Sequence, residues 1–373
     1  MSTDTVRAAT LVGPESIELR TYPRPDLSNG GAILGVEVCQ LCGTDYAQFT
    51  GNYHRAGTPT TTVIPGHELV GVIQEAHPET LRLWGLSVGD RVAVEPNIPC
   101  GRCPQCVTGR YVSCASPDAK AYGFVSTATA PSLWGGYSTA MYLTPGTVLH
   151  KVPEGLDPRR ASLFNVLANG FEWACRVPQL QYGQSVLVLG AGQRGLACIA
   201  AARAAGAGQI ITTGLASDGR RLEAAKALGA DIALTVKEAD DVDVVEVVRE
   251  ATKGQMVDIA VDCTAGDTGP VIDAINAVGI GGTVVLGGMK HGHLANGFNS
   301  DQVVIDQKRI IGVLSAGFKA YRQSLAYLAD PGEGLSANRT HEFPLDQAEQ
   351  AMRMLGGERP EEQPIYVSIV IDA

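Results

Sequence analysis

Apolar and polar positions change rhythm once along the chain. Up to about residue 160 the apolar residues come in short alternating runs: Ala8–Val12, Ser16–Arg20, Ala32–Val38, Leu69–Ile73, the run ending at Val94, Met141–Leu143 and Val148–Val152. A period of two predicts strands with one buried face. Pro23, Pro25, Asn29, Gly30 and Gly31 supply turns between the first of them. Trp134–Tyr137 is expected to continue this β-rich part, and the run at Ile33–Val38 reads as a half-buried strand.

After residue 160 the pattern alternates between strand and helix. Ala161–Ala174 has helical composition, and Ser185–Leu189 is a continuous apolar run of the kind buried in a parallel sheet. Helical segments follow at Leu196–Ala205, Arg220–Leu228, Val242–Ala251 and Thr268–Ala277. Strands are expected between and after them at Gln209–Thr213, Ile232–Thr235, Val257–Val261, Thr283–Leu286 and Ile310–Leu314. Six strands separated by helices predict a doubly wound parallel sheet. The remaining tail holds a helix at Arg322–Leu328 and a strand at Tyr366–Ile371. The expected organisation is α/β: a β-rich domain over 1–160, a doubly wound domain over 161–318, and a segment 319–373 that returns to the first domain.

Composition narrows the function classes. The chain has 373 residues, 45% apolar and 18% charged, with a net charge of −10. That acidic balance argues against a nucleic-acid partner, because phosphate binding needs a basic surface. The N-terminus lacks the apolar core of a signal peptide, and no stretch reaches the ~20 apolar residues that span a bilayer. A cytoplasmic protein with no membrane partner is expected, its nine cysteines held as thiols or thiolates.

Four of those cysteines lie close together as Cys100-x2-Cys103-x2-Cys106-x7-Cys114. Gly101, Pro104 and Gly109 allow the turns that bring the sulfurs together. The spacing suits a closed, four-sulfur structural zinc site in a lobe over about 97–116. The alternative is a pair of disulfides in a secreted domain. A closed site has no open position for a substrate, so the chemistry is sought elsewhere.

Gly190-Ala-Gly192-Gln193-Arg194-Gly195 follows a predicted strand and opens a predicted helix, the context that makes the glycine pattern a dinucleotide site. Gly190 permits the tight turn, Gly192 lets the backbone approach a pyrophosphate, and Gly195 lets helix and strand pack closely. The helix N-terminus offers free N–H groups to phosphate, with Gln193 in its first turn and Arg194 a candidate direct charge. An NAD site places an acid at the end of the second strand. Here that position is Gly214, followed by Asp218, Arg220 and Arg221. The missing acid and nearby arginines favour NADP; Asp218 folding back would instead favour NAD.

Cys42-Gly-Thr44-Asp45, Gly66-His67-Glu68, Gly89-Asp90-Arg91-Val92, the cysteine lobe and Gly190–Gly195 together resemble the zinc-containing medium-chain alcohol dehydrogenases, nearest to their polyol and sugar branch. The resemblance covers nearly the whole chain. It implies a GroES-like catalytic domain, a Rossmann cofactor domain, a second, catalytic zinc between them, and hydride transfer between an alcohol carbon and NAD or NADP. Cys42 and His67 would be zinc ligands, Thr44 the acceptor of the alcohol proton, Asp45 the group orienting the histidine, and Glu68 a transient ligand. The family's third ligand is Cys, Asp or Glu; the matching position here is Asn165, a neutral and poorer zinc ligand. The family often carries a relay histidine where this chain has Ala47, a role left to His54 or water.

The resemblance implies a small-molecule alcohol or ketone substrate and a homodimer or homotetramer, with Thr283–Gly287 and Ile310–Leu314 as candidate edge strands. Glu95 and Asn97 are candidates for a polar pocket. A competing enzyme reading discards the catalytic zinc and reduces a C=C or C=N bond. A non-enzymatic reading keeps only cofactor binding and the lobe.

Overall fold

A computed structural model describes residues 5–53, 62–236, 243–330 and 332–371. The chain divides into two compact units. One comprises Met1–Asn165, Leu325–Pro331 and Arg339–Ala373; the other comprises Val166–Ser324 and Gly332–Asn338.

The first unit opens with an antiparallel hairpin, β1 (Thr5–Gly13) and β2 (Ser16–Pro23). Its main sheet is built on β3 (Ala32–Gln40), β4 (Glu68–Ala76) and β5 (Arg91–Val94). The two-residue strands β6 (Asn97–Ile98) and β7 (Lys120–Ala121) pair at the base of the cysteine lobe. β8 (Ala140–Leu143) and β9 (Leu149–Lys151) then add to β3 and β5 respectively. The half-buried strand predicted at 33–38 is instead buried along nearly all of β3, with only Glu37 partly exposed. The reason is its central place, paired on both edges and packed into the apolar core on its faces. Glu37 is accommodated by Arg91, whose Nε and Nη2 donate to its carboxylate at 2.6 and 2.8 Å. Trp134–Tyr137 forms a buried turn, not a strand, with Gly135 lying against the Ile64 carbonyl.

β3 and β4 are antiparallel with Gln40 opposite Glu68. This register is what places Cys42 and His67 together: one residue lies two positions beyond β3, the other immediately before β4. The helix Gly43–Phe49 starts directly after Cys42.

In the second unit, β10 (Ser185–Leu189), β11 (Gln209–Leu215), β12 (Ile232–Val236), β13 (Val257–Asp262), β14 (Val278–Leu286) and β15 (Arg309–Gly312) form one parallel sheet. Its order is β12-β11-β10-β13-β14-β15, and the order reverses at β10, the usual place for a ligand. The four buried residues Val186–Leu189 confirm the apolar run as a covered strand. β14 pairs with β13 and with β15, so the expectation of an edge at Thr283–Gly287 is corrected: its apolar run is buried on both sides, and β15 is the edge. The helix Gln193–Ala204 starts three residues earlier than predicted because Gly192 serves as its N-cap. The helix predicted from Val242 spans Val244–Ala251; Val242 itself lies outside the described residues. The segment expected as one helix over 161–174 is an α-helix at Phe164–Gly170 continued by a π-helical stretch at Phe171–Arg176. Gly170 is required there, since a Cβ would meet the Ala197 carbonyl at 2.3 Å.

After the helix Phe318–Leu328 come β16 (Arg339–Pro344) and β17 (Tyr366–Val370). β17 pairs antiparallel with β3, Ile369 opposite Cys39, which completes a seven-stranded sheet in the first unit. Among the described residues no helix is long and apolar enough to cross a membrane.

Candidate metal and dinucleotide sites

Cys42, Asp45 and His67 form a buried cluster with all donor atoms within 4.8 Å of one another. Cys42 Sγ lies 3.3 Å from His67 Nε2, and His67 Nδ1 lies 3.1 Å from Asp45 Oδ1. The other oxygen, Asp45 Oδ2, accepts the Cys42 N–H at 2.9 Å. One carboxylate in the first turn of the Gly43–Phe49 helix thus fixes both the loop that carries the thiol and the ring that faces it. Burial opposes the charged form of His67, but the neighbouring charges of Asp45 and Cys42 outweigh it and hold its pKa well above the usual histidine value. The pocket is strongly attractive to a cation. A thiolate and an imidazole on one zinc stand about 3.5 Å apart, from Zn–S and Zn–N lengths of about 2.3 and 2.0–2.1 Å. The observed pair fits zinc, and the carboxylate on Nδ1 is the usual outer partner of a ligating histidine.

Glu68 is buried, its Oε1 4.0 Å from His67 Nε2. Asn165 is also buried, near the start of the helix Phe164–Gly170. Thr44 is partly exposed in the first turn after Cys42, and Ala47 lies one turn further on. His54 lies outside the described residues. Gly66 has φ +90°, and a Cβ there would strike the Tyr137 ring at 2.5 Å, so glycine is demanded just ahead of His67.

Motif reasoning missed an aromatic wall. Phe124 stacks at 5.2 Å from the His67 ring and 5.2 Å from Tyr53. Both aromatic residues line a cavity of about 540 Å³ together with Asn97 and Tyr111. No spacing rule announces Phe124; its approach to His67 arises from tertiary folding. Glu95 is corrected: it is fully buried, accepts from Tyr111 Oη at 2.6 Å and pairs with His150 Nε2 at 2.7 Å. It fastens the lobe to the sheet while Asn97 faces the cavity.

The sulfurs of Cys100, Cys103, Cys106 and Cys114 converge, with separations of 3.9 Å for Cys100–Cys106, 3.5 Å for Cys103–Cys106 and 3.8 Å for Cys103–Cys114. A tetrahedron with Zn–S of about 2.3 Å has sulfur–sulfur edges of about 3.8 Å. A disulfide would need about 2.05 Å, and all four residues are free cysteines. Gly101 and Gly109 take the left-handed backbone, φ +71° and +81°. Backbone N–H groups, Cys106's foremost, lower the Cys103 thiol to about 6.

At the dinucleotide turn, Gly190 has φ +95°, and a Cβ on Gly195 would lie 1.8 Å from the Gly190 carbonyl. A Cβ on Gly192 would meet nothing within 4 Å, which leaves that backbone open to a ligand at the helix N-terminus. Gln193 begins the helix. The Arg194 guanidinium lies over the Trp173 ring at 5.6 Å. Beyond β11, Arg221 Nη1 pairs with Asp218 Oδ1 at 3.0 Å, beside Gly214.

A doubly wound unit with an open glycine turn, joined to a β unit with two thiolate-bearing donor sets, has the parts of a nicotinamide-dependent metallo-oxidoreductase. The zinc-binding dehydrogenase family matches residues 195–330, and the alcohol dehydrogenase GroES-like domain family matches residues 28–154. The chain is 38% identical to a probable alcohol dehydrogenase of Mycobacterium tuberculosis over 97% of each chain. It is 30% identical to the sorbitol dehydrogenase of Bacillus subtilis over 93% of this chain and 92% of that one. The crystal structure of an alcohol dehydrogenase from Thermotoga maritima shares the fold, with a TM-score of 0.87 at 23% identity, covering 99% of this chain and 100% of the other. The chain belongs to the zinc-binding dehydrogenase family: it is an oxidoreductase acting on CH–OH groups that uses zinc and a nicotinamide cofactor. These relatives do not favour the C=C or C=N reductase alternative.

Proposed function

We propose that this enzyme interconverts a secondary alcohol of polyol, sugar-like or cyclic type with its ketone, at a catalytic zinc held by Cys42 and His67. The observation that carries this reading is the buried Cys42–His67 pair, 3.3 Å apart with Asp45 behind the ring. Similarity to a sorbitol dehydrogenase supports a polyhydroxylated substrate. So does the polar and aromatic lining of the cavity beside Phe124, where Asn97 offers a hydrogen-bonding group. A second zinc held by Cys100, Cys103, Cys106 and Cys114 keeps the lobe in shape and takes no part in chemistry.

A bound catalytic zinc supplies Lewis acidity to the alcohol oxygen, and a bound nicotinamide supplies the hydride acceptor. The chain's residues do the rest. Asp45 fixes the His67 tautomer, leaving Nε2 as the ligand atom. Thr44, two residues after Cys42, would accept the alcohol proton at its hydroxyl while passing its own proton on toward the cofactor ribose. Phe124 and Tyr53 exclude water from one side of His67. Gly192 and the following helix N-terminus hold the pyrophosphate, with Arg194 nearby. Cys42, His67 and Asn165 leave a divalent ion with a net charge near +1; approach of the buried Glu68 carboxylate neutralises it. The enzyme works in the cytoplasm as a homo-oligomer joined at the β15 edge.

Metal analysis beside a panel of alcohols with both cofactors tests this reading. Two zinc ions per chain and turnover of a secondary alcohol are expected. Cys42→Ser is expected to abolish alcohol oxidation while nicotinamide binding, followed by fluorescence titration, persists; unchanged turnover would sink the mechanism.

A further inference from the structure

Where an NAD site places an acid to hold the ribose 2′-OH, this chain has Gly214, and the structure shows why glycine stands there. A Cβ on Gly214 would meet Leu222 Cδ2 at 3.0 Å and Asp218 Cβ at 3.3 Å. The space a side chain at 214 would enter is already taken, and one of its occupants is a carboxylic acid. The short turn Ala216–Asp218 folds the chain back so that Asp218 Oδ2 accepts the Leu215 N–H at 3.0 Å. Its other oxygen pairs with Arg221 Nη1 at 3.0 Å.

Asp218 is therefore held from two sides at the end of β11 with its side chain still 15% exposed. An ionised carboxylate offers about four acceptor sites. Two are engaged, so acceptor capacity remains for a ribose hydroxyl.

The same ion pair changes what Arg221 can do. A 2′-phosphate needs a cation with charge to spare, and Asp218 compensates the charge of Arg221. Bringing the phosphate in would set about two negative charges against a fixed carboxylate, or require the pair to break.

We infer that Asp218 is the ribose-recognising acid of this enzyme, displaced four positions beyond the usual place, and that it makes the enzyme select NAD over NADP. The inference rests on the nicotinamide-dependent reading above and deepens it by naming the cofactor.

Titration of the zinc-loaded, full-length enzyme with NADH and with NADPH, followed by protein fluorescence, tests it without relying on turnover. Wild-type enzyme is expected to bind NADH at least about tenfold tighter than NADPH, the scale of one charge-assisted hydrogen bond. Asp218→Asn keeps the shape and removes the charge. It is expected to weaken NADH by about tenfold and to strengthen NADPH as the fixed negative charge that opposes a 2′-phosphate is removed. Tighter binding of NADPH by the wild type overturns the inference, and that comparison stands even if the variant does not fold. So does an NADH-to-NADPH ratio unchanged by Asp218→Asn. Binding of both nucleotides without discrimination sinks this inference alone; binding of neither sinks the nicotinamide-dependent reading and the inference with it.

Discussion

At the scale of single residues, the site turns on what stands at position 165. The proposed ligand set draws one sulfur from Cys42 and one imidazole from His67, with Asp45 engaged by the Cys42 N–H and the His67 ring. A buried amide oxygen at 165 adds a dipole and no charge. Asn165→Asp is nearly isosteric and supplies the missing charge, so zinc should be retained more tightly at this site, by about tenfold or more. Zinc content after dialysis against a graded chelator measures this directly. Occupancy equal to or below that of the parent would remove Asn165 from the proposed ligand set. Cys42 and His67 were legible in the sequence because the chemistry of zinc demands these side chains in short, recognisable motifs. Phe124 was not, because an aromatic residue carries no distinguishing spacing; the close approach of Gly123 to Gly66, where a Cβ would lie 3.1 Å from the Gly66 carbonyl, accompanies the contact of the Phe124 ring with His67.

At the scale of elements, the glycine turn separates two uses of the same residue type. Gly195 is fixed by the protein itself: a Cβ would sit 1.8 Å from the Gly190 carbonyl, and backbone must move. Gly195→Ala is expected to lower stability by about 1–3 kcal/mol and to impair nucleotide binding with it. Gly192 touches nothing within 4 Å of its ideal Cβ. Gly192→Ala should therefore leave the melting temperature nearly unchanged yet weaken NAD(H) binding, because only a bound pyrophosphate needs that space. Thermal melts and nucleotide titrations of the two variants check the contrast; equal destabilisation by both would mean that Gly192 serves the fold and not the ligand. The strands of the second unit were readable in order because a covered parallel strand is a continuous apolar run. The Gln40–Glu68 register was not, although it is what joins Cys42 to His67: pairing between strands 25 residues apart in sequence leaves no local trace. The π-helical turn at Phe171–Arg176 was equally hidden, since its residues have ordinary helical composition.

At the scale of the whole molecule, the doubly wound sheet ends on an exposed apolar edge. β15 closes the strand order, and among the described residues no strand pairs with its outer side. The Gly281 N–H bonds the Asp306 carbonyl at 2.7 Å, which draws the turn within β14 and the end of the helix Ser300–Ile305 to the same margin. Ile280 is 83% exposed there, Val304 75% and Ile305 72%. Ile310 and Leu314 add further exposed apolar surface. An unpaired strand with apolar neighbours invites pairing with another chain, and closed two-fold pairing of identical edges is the simplest way to satisfy it. The proposed homodimer predicts that Ile310→Lys, a charge placed on β15 itself, shifts the molar mass measured by light scattering from dimer toward monomer. The substitution lies outside both donor clusters and the glycine turn, so zinc content and NADH affinity measured on the monomer should stay near those of the parent. A wild-type protein that scatters as a monomer would leave this edge as a bare margin of the sheet; a variant that remains dimeric would move the interface elsewhere on the surface.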